Sequence, residues 1–245
     1  MLNYSYRIFW PLLIILWLSN IFAFGNESVI VLNKGIGGNS STDLLNRIER
    51  DLIAHQPDIA IIMIGTNDLL NSRKKVSEHL FLSNIKKLTD TLALHGIEAT
   101  WVSPPPVDTS YLFQRHDPSH YLTPPNEALK RASDSLQVLC EKEGLLFVDV
   151  FSHFKNKGLP NHEKDEIVRN ITNSGEKDGV HLTAKGNRLL AQIIYGALSE
   201  RYGTMRHLKI VCFGDSLTFG VYMKGEGTAE GDTYPAILKQ LITRS

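Results

Sequence analysis

Short apolar runs alternate with helical patterns along most of this chain. Five runs have the length of strands: SVIVLN (28–33), DIAIIMIG (58–65), EATWVS (98–103), LLFVDVF (145–151) and HLKIVCF (207–213). DIAIIMIG carries apolar residues on both faces, as expected for a strand of a parallel sheet that helices cover on both sides. Strands that alternate with helices predict a three-layer α/β/α sandwich with a five-stranded parallel sheet.

Amphipathic segments between these runs predict the helices. Their apolar faces consist of Leu45, Ile48 and Leu52; Phe81, Ile85, Leu88 and Leu92; and Leu129, Ala132, Leu136 and Leu139. Ser40 with Asp43, and Thr123, are the expected caps of the first and third helices, while Gly96 and Gly144 end the second and third. A long helix is predicted at about 183–201 with Thr183 as its cap, and a short one at YPAILKQLI. The proline-rich stretch 104–125 and the polar stretch 152–178 are predicted as irregular.

The first 25 residues differ from the rest of the chain. A positive charge at Arg7 precedes an apolar stretch from 8 to 24, and Ala23 and Gly25 supply small residues at a cleavage site. This pattern predicts a secretory signal peptide, followed by a single domain over 26–245 that is exported to the periplasm or secreted. The alternative is an uncleaved N-terminal membrane anchor, with the domain facing outside the cytoplasm. Membrane contact is expected only in that case.

Charge and cysteine content narrow the function classes. Lys and Arg total 26, as do Asp and Glu, so no overall field favours nucleic acid or an anionic membrane. A small or locally recognised substrate is the better expectation. Cys140 and Cys212 both lie in apolar segments and are predicted to be buried thiols. In an oxidising compartment, a disulfide between them is the alternative.

A strand, a Gly-Asp turn and a serine follow one another in KIVCFGDSLTFG (209–220). Ser216 would lie at the carboxyl end of the last strand, the edge at which parallel α/β sheets build their sites. The alternative is that this turn only caps the connection to the next helix. This motif alone leaves both interpretations open.

The segment DGVHLTAKG places Asp178 three residues before His181, in the loop that precedes the last long helix. At this spacing the carboxylate can fold back onto Nδ1 of the imidazole. The bond would fix the tautomer in which Nε2 acts as a general base toward a serine. Any one of the nine histidines could instead be structural or solvated.

Two further strand ends carry polar or glycine-rich turns. In IGTND, Asn67 could donate its amide to a developing oxyanion, or it could cap a helix. In NKGIGGNSS, the backbone N–H of Gly38 could be a second donor. A phosphate-binding or dinucleotide loop is the competing interpretation of the glycines, but the segment lacks the G-x-G-x-x-G pattern.

Taken together, these motifs resemble the four sequence blocks of the SGNH, or GDSL, hydrolases over essentially the whole mature chain. The resemblance implies a flavodoxin-like SGNH hydrolase fold and a carboxylic ester hydrolase that forms an acyl-enzyme. It implies Ser216 as nucleophile, His181 as general base and acid, and Asp178 as the residue that orients His181. It also implies an oxyanion hole of the Ser216 and Gly38 backbone N–H groups and the Asn67 amide, with no metal and no cofactor.

The order of the blocks departs from the family pattern. The serine block ordinarily comes first, whereas here it follows the glycine, asparagine and histidine blocks. We interpret this order as a circular permutation, with a misjoined or domain-swapped chain as the rival explanation. The sheet order implied by the resemblance places the last strand between SVIVLN and DIAIIMIG, which brings Ser216, Gly38 and Asn67 to neighbouring strand ends.

The loops give a weaker indication of the substrate. The stretch 104–125 mixes Tyr111, Phe113, His116, His120 and Tyr121 with prolines, which suits a sugar face, and no long apolar stretch indicates a lipid tunnel. We expect removal of acetyl or other short acyl groups from a carbohydrate or small ester. Lipase, lysophospholipase or thioesterase activity on longer acyl chains is an alternative, and a noncatalytic carbohydrate-binding protein is another. The residues that bind the substrate and the oligomeric state stay open.

Overall fold

A computed structural model of the protein describes residues 28–245. The segment predicted to be a signal peptide or anchor, residues 1–25, lies outside the described residues. Within 28–245, no helix has the length and apolar character needed to cross a membrane.

Five parallel strands form one sheet, as predicted. They are β1 Ile30–Gly35, β2 Ile59–Met63, β3 Glu98–Val102, β4 Leu146–Val148 and β5 Lys209–Gly214. The order across the sheet is β1-β5-β2-β3-β4. Gly214, at the end of β5, pairs with Gly35 of β1 on one side and with Met63 of β2 on the other. The prediction that the last strand of the chain is an interior one is therefore confirmed.

Ten helices accompany the strands within the described residues. They are α1 Ser41–Asp51, α2 Thr66–Leu70, α3 Glu78–Leu94, α4 Thr109–Arg115, α5 Pro125–Glu143, α6 Val150–Asn156, α7 Ile171–Ser174, α8 Ala184–Tyr202, α9 Ser216–Phe219 and α10 Tyr234–Arg244. Ser40 and Asp43 form the predicted capping box of α1, and Thr183 caps α8 as expected.

The hydrophobic core consists of two clusters, one on each face of the sheet. Because side chains alternate along a strand, Ala60 and Ile62 of β2 join the cluster that includes α1, α3 and α5, while Ile59 and Ile61 join the one that includes α8 and α10. Fully burying one large apolar side chain contributes roughly 1.5–3 kcal/mol. The predicted three-layer sandwich follows from this division, and Cys140 and Cys212, both buried and free, lie in different clusters.

The connection at 104–125 is more regular than predicted. It contains α4, whose first turn is capped by the Asp108 carboxylate, and a 3₁₀ turn at Pro118–His120. The prolines lie outside α4, so they bound this helix without interrupting it. Thr123 is not the cap of α5, which begins at Pro125 after Pro124 and has no side-chain cap.

The predicted strand 145–151 is also shorter in the structure. Strand β4 ends at Val148, and Asp149 accepts a hydrogen bond from the Ser152 N–H to start α6. A capping aspartate thus outweighs the apolar pattern on either side of it. On α1, Leu44 and Ile48 face the core, whereas Leu45 is only partly buried.

Candidate active site

Ser216 lies where β5 passes directly into α9. It is the first residue of that helix, and the Asp215 carboxylate caps the helix by accepting from the Leu217 N–H at 2.9 Å. Burial raises the pKa of Asp215 to about 7, although the Leu217 N–H and the charge of His181 oppose this rise. The serine hydroxyl is therefore held at the carboxyl edge of the sheet by a buried carboxyl group.

Two glycines allow α9 to approach the strand ends so closely. A Cβ on Gly214 would overlap the Met63 carbonyl oxygen and Thr218 Oγ1, and a Cβ on Gly35 would overlap the backbone nitrogen of Phe219. Any side chain at either position would push α9 away from the sheet. The position of Ser216 thus depends on both glycines.

His181 bridges Ser216 and Asp178. Its Nε2 lies 3.0 Å from Ser216 Oγ, and its Nδ1 lies 2.8 Å from Asp178 Oδ2. Asp178 Oδ1 accepts from the N–H groups of Val180 and His181, both at 2.8 Å. The predicted spacing of three residues thus produces both a side-chain and a backbone contact.

Electrostatics fix the tautomer of His181. Burial raises the pKa of Asp178, but the hydrogen bonds from the His181 side chain and from two backbone N–H groups outweigh it and lower that pKa to about 2. The carboxylate is ionised and can only accept, so Nδ1 of His181 carries the proton and donates it. Nε2 is then the acceptor for the Ser216 hydroxyl.

Backbone pairing holds the loop that carries Asp178 and His181. The Arg169 N–H donates to the His181 carbonyl at 2.8 Å, and the Gly179 N–H donates to the Arg169 carbonyl at 2.9 Å. From the other side, the Asp108 N–H donates to the Gly179 carbonyl at 2.8 Å. The loop is therefore fixed from two directions.

Gly38 and Asn67 lie at the same edge and line the same cavity as Ser216. Gly38 has a φ of +75°, a left-handed conformation that favours glycine. Within residues 28–245, its N–H has no hydrogen-bond acceptor.

Asn67 lies in α2, after Gly65 at the cap position, so its interpretation as a helix cap is wrong. Its amide donates to the Asn39 carbonyl at 3.0 Å and makes a longer contact of 3.4 Å with Asp215 Oδ2.

A buried arginine joins the first and last strands beneath the site. Arg47 Nη2 donates to the Gly214 carbonyl at 2.8 Å, Nη1 to the Lys34 carbonyl at 3.0 Å, and Nε to Asn39 Oδ1 at 2.7 Å. The sequence reasoning missed this residue. Its position between Leu44 and Ile48, on the buried face of α1, was the available signal.

A second buried framework ties α1 to α2. Both Asp68 carboxylate oxygens accept from the Ser41 N–H, at 2.9 and 3.0 Å, and one of them also accepts from the Ser41 hydroxyl. Burial raises the pKa of Asp68, and the Ser41 hydrogen bonds oppose the rise. This framework fixes the glycine loop relative to Asn67, which directly precedes Asp68 in the chain.

The cavity in front of Ser216 has a volume of about 320 Å³. Leu70, Leu112, Val180 and Val221 supply its apolar wall, and Arg115 and His116 line it as well. The sequence analysis named five aromatic and histidine residues in 104–125 that suit a sugar face. Within the described chain, His116 is the one of these five that lines the cavity. Tyr222, beyond the cavity, packs edge-on to His181 with ring centroids 5.6 Å apart.

Comparisons with known proteins give a consistent result. The model of the GDSL-like lipase/acylhydrolase family matches residues 16–189, a stretch that includes Gly38, Asn67, Asp178 and His181 and ends before β5. The chain is 27% identical over 197 residues to GDSL esterase/lipase CPRD49 of Arabidopsis thaliana, covering 75% of this chain and 70% of that protein. Over 39 residues it is 56% identical to acetylxylan esterase of Geobacillus stearothermophilus, covering 16% of this chain and 18% of that protein.

Solved structures show the same fold. The lipase/acylhydrolase of Enterococcus faecalis superposes with a TM-score of 0.53 at 20% identity, covering 70% of this chain and 73% of that one. This similarity supports the SGNH hydrolase fold that the sequence predicted.

Proposed function

The chain belongs to the GDSL-like lipase/acylhydrolase family, and we propose that it is a serine ester hydrolase that works through an acyl-enzyme. The observation that carries this proposal is the continuous set of contacts from Asp178 through His181 to Ser216, at 2.8 and 3.0 Å. Ser216 and His181 line one cavity with Gly38 and Asn67. A nucleophile, a base with a fixed tautomer and oxyanion donors are the parts that acyl transfer needs.

The proposed reaction has two halves. Ser216 Oγ attacks the ester carbonyl carbon while its proton passes to His181 Nε2, and His181 then gives that proton to the departing alcohol. Water next attacks the acyl carbon, again with His181 as base, and the acid leaves as Ser216 regains its proton. Asp178 stays ionised throughout and stabilises the imidazolium.

Three donors are proposed to stabilise the oxyanion. The Ser216 N–H lies in the first turn of α9, where backbone N–H groups have no intrahelical acceptor. The Gly38 N–H is unpaired within 28–245. The second N–H of the Asn67 amide makes only the 3.4 Å contact with Asp215, so it is available to donate to the oxyanion.

Within this class we propose short acyl groups, acetyl above all, on a carbohydrate or small ester. A cavity of about 320 Å³ is at the lower end of the range for ligand sites, which favours a short acyl group over a long chain. The similarity to an acetylxylan esterase supports the same choice. We also propose export, which rests on the pattern of residues 1–25.

A panel of aryl esters tests this proposal. The wild type should hydrolyse an aryl acetate at least about tenfold faster, in kcat/KM, than the octanoate, and should release acetate from acetylated xylooligosaccharides. Ser216→Ala should lose a factor of order 10⁴ or more in kcat while keeping its thermal melting point. Faster hydrolysis of the octanoate would favour the lipase alternative. A folded wild type that cleaves no ester would favour the noncatalytic one.

We further propose that the chain is a circularly permuted member of its family. The position of β5 between β1 and β2, and a family match that ends before β5, both support this. Helix α10 packs against β1, and because it runs back from the carboxyl edge of the sheet, its end at residue 245 lies toward the amino end of β1, which residue 28 precedes.

The test is a rejoined variant in which residues 204–245 precede residues 28–203, so that the buried Met205 is kept and the cut falls between two exposed residues. It should fold and hydrolyse the same esters, because new termini in an exposed connection are tolerated. The matched control opens the chain within α3 between Leu88 and Thr89, both buried, and should fail to fold. An unfolded rejoined variant would contradict the permutation.

A further inference from the structure

One fixed charge faces the cavity in front of Ser216. Arg115, the last residue of α4, lines this cavity, and none of the other lining residues in the described chain is a lysine, an arginine or a carboxylate. A charged side chain in an otherwise neutral site for a small ester has no role in the acyl transfer itself.

The guanidinium of Arg115 is anchored but has donors left over. Its Nη2 donates to the Asp178 carbonyl at 2.6 Å. Within residues 28–245 it forms no ion pair with a carboxylate. The remaining N–H groups can therefore bind an anion, for which a planar guanidinium is well suited.

His116, which follows Arg115 in the chain, lines the same cavity. Burial lowers the pKa of His116, and the charges of Arg115, Arg73 and His120 lower it further. The carboxylate of Asp117 is the nearest counter-charge in sequence, but it accepts from the Ser119 N–H at 2.8 Å within its own turn. Among the lining residues of the described chain, Arg115 is therefore the one permanent positive charge at this cavity.

The position of Arg115 indicates which part of the substrate it would contact. In the proposed reaction the departing alcohol takes its proton from His181, so the alcohol part lies on the His181 side of Ser216. Arg115 is bonded to the carbonyl of Asp178, three residues before His181. Gly38 and Asn67, the proposed oxyanion donors, come from the separate segments that follow β1 and β2.

Building on the proposed ester hydrolysis, we infer that the alcohol part of the substrate carries a carboxylate that Arg115 binds. An acetylated uronic acid unit of a polysaccharide is a substrate of this chemical class.

A matched pair of esters tests the inference. One is an O-acetylated methyl uronoside with a free carboxylate, and the other is its neutral methyl ester. The wild type should prefer the carboxylate by about tenfold or more in kcat/KM at low salt, as expected for a hydrogen bond to a charged group. The preference should shrink as ionic strength rises.

Variants assign the preference to Arg115. Arg115→Gln should reduce the ratio of the two kcat/KM values to about one, and Arg115→Lys should keep part of it. Because each ratio is taken within one variant, a general loss of activity cancels. Arg206→Gln removes an equal charge from an exposed position before β5, at the opposite edge of the sheet, and should keep the wild-type ratio.

Two results would overturn the inference while leaving the esterase proposal intact. One is equal hydrolysis of the two uronosides by the wild type; if 4-nitrophenyl hemisuccinate is then preferred over 4-nitrophenyl butyrate, the charge belongs on the acyl part. The other is a preference for the carboxylate that neither salt nor Arg115→Gln changes. A wild type that hydrolyses none of these esters would refute the proposed function itself.

Discussion

Replacing Asp178 by asparagine tests how the carboxylate acts on His181. The amide oxygen of the introduced side chain can still accept from the backbone N–H groups of Val180 and His181, so the loop keeps its local bonds. The amide nitrogen, however, would face Nδ1 of His181 as a donor. The imidazole would then carry its proton on Nε2, the atom that must accept from Ser216.

The change should have two separate effects, one on stability and one on activity. The lowering of the pKa of Asp178 from its ordinary 3.8 to about 2 contributes about 2 kcal/mol to the free energy of unfolding at neutral pH. Because the pKa in the folded state is the lower one, this contribution is present above about pH 4 and is lost as the pH falls through about 2. In activity, the wrong tautomer should cost about 10⁴ in kcat.

Urea unfolding and aryl acetate hydrolysis separate the two effects. The matched control is Asp165→Asn, because Asp165 is also buried and accepts from the backbone N–H groups of Asn161, Ile167 and Val168. Within residues 28–245 its carboxylate forms no hydrogen bond or ion pair with a histidine. The control should lose stability and keep its activity when folded. An Asp178→Asn enzyme within about tenfold of the wild-type kcat would refute the tautomer argument.

Three other substitutions probe the surroundings of the serine. Asn67→Ala should lower kcat by about 10²–10³ with little change in KM if its amide stabilises the oxyanion, and a change confined to KM would contradict that role. Asp215→Asn removes a carboxyl group whose pKa is raised to about 7 in the folded state, so wild-type stability should fall relative to the variant as the pH rises from about 4 to about 7. Measured by urea unfolding, the free energy of unfolding of the wild type should fall by about 2 kcal/mol relative to that of the variant between about pH 5 and about pH 6.5. An equal pH dependence in both proteins would show that Asp215 is ionised over this range. Gly214→Ala should cost more than about 2 kcal/mol because its Cβ overlaps backbone, and Gly37→Ala, where a Cβ meets nothing within 4 Å, is the control.

The sequence predicts those parts of the site that depend on local spacing or on strand ends. Asp178 and His181 are three residues apart, so one loop is sufficient to bring them together. Ser216, Gly38 and Asn67 follow strands of one parallel sheet, and the shared direction of these strands takes all three to one edge. Both kinds of inference need only the pattern of a short segment and the rules of parallel sheets.

Contacts between residues that are far apart in the sequence could not be predicted in the same way. Arg115 reaches the Asp178 carbonyl from 63 residues away, and no pattern around either residue indicates the other. His162 and Asp108 form another close histidine–carboxylate pair at 2.6 Å, 54 residues apart, although neither belongs to the proposed site. Such pairs depend on how α4 and its neighbouring loops pack, which follows from the whole core.

Because β5 lies in the interior of the sheet, the sheet is complete only when the last strand of the chain is in place. Strands β1 and β2 are not hydrogen-bonded to each other, and each pairs with β5 instead. Arg47 adds to this dependence, because its Nη2 bond to Gly214 spans 167 residues, and a buried carbonyl or guanidinium without its partner costs roughly 1–3 kcal/mol. The strand that leads to Gly38 and the strand that leads to Asn67 are therefore hydrogen-bonded into one sheet only when the last segment of the chain docks between them. The same event inserts Ser216 between them, so completing the sheet and assembling the proposed oxyanion site are one structural step.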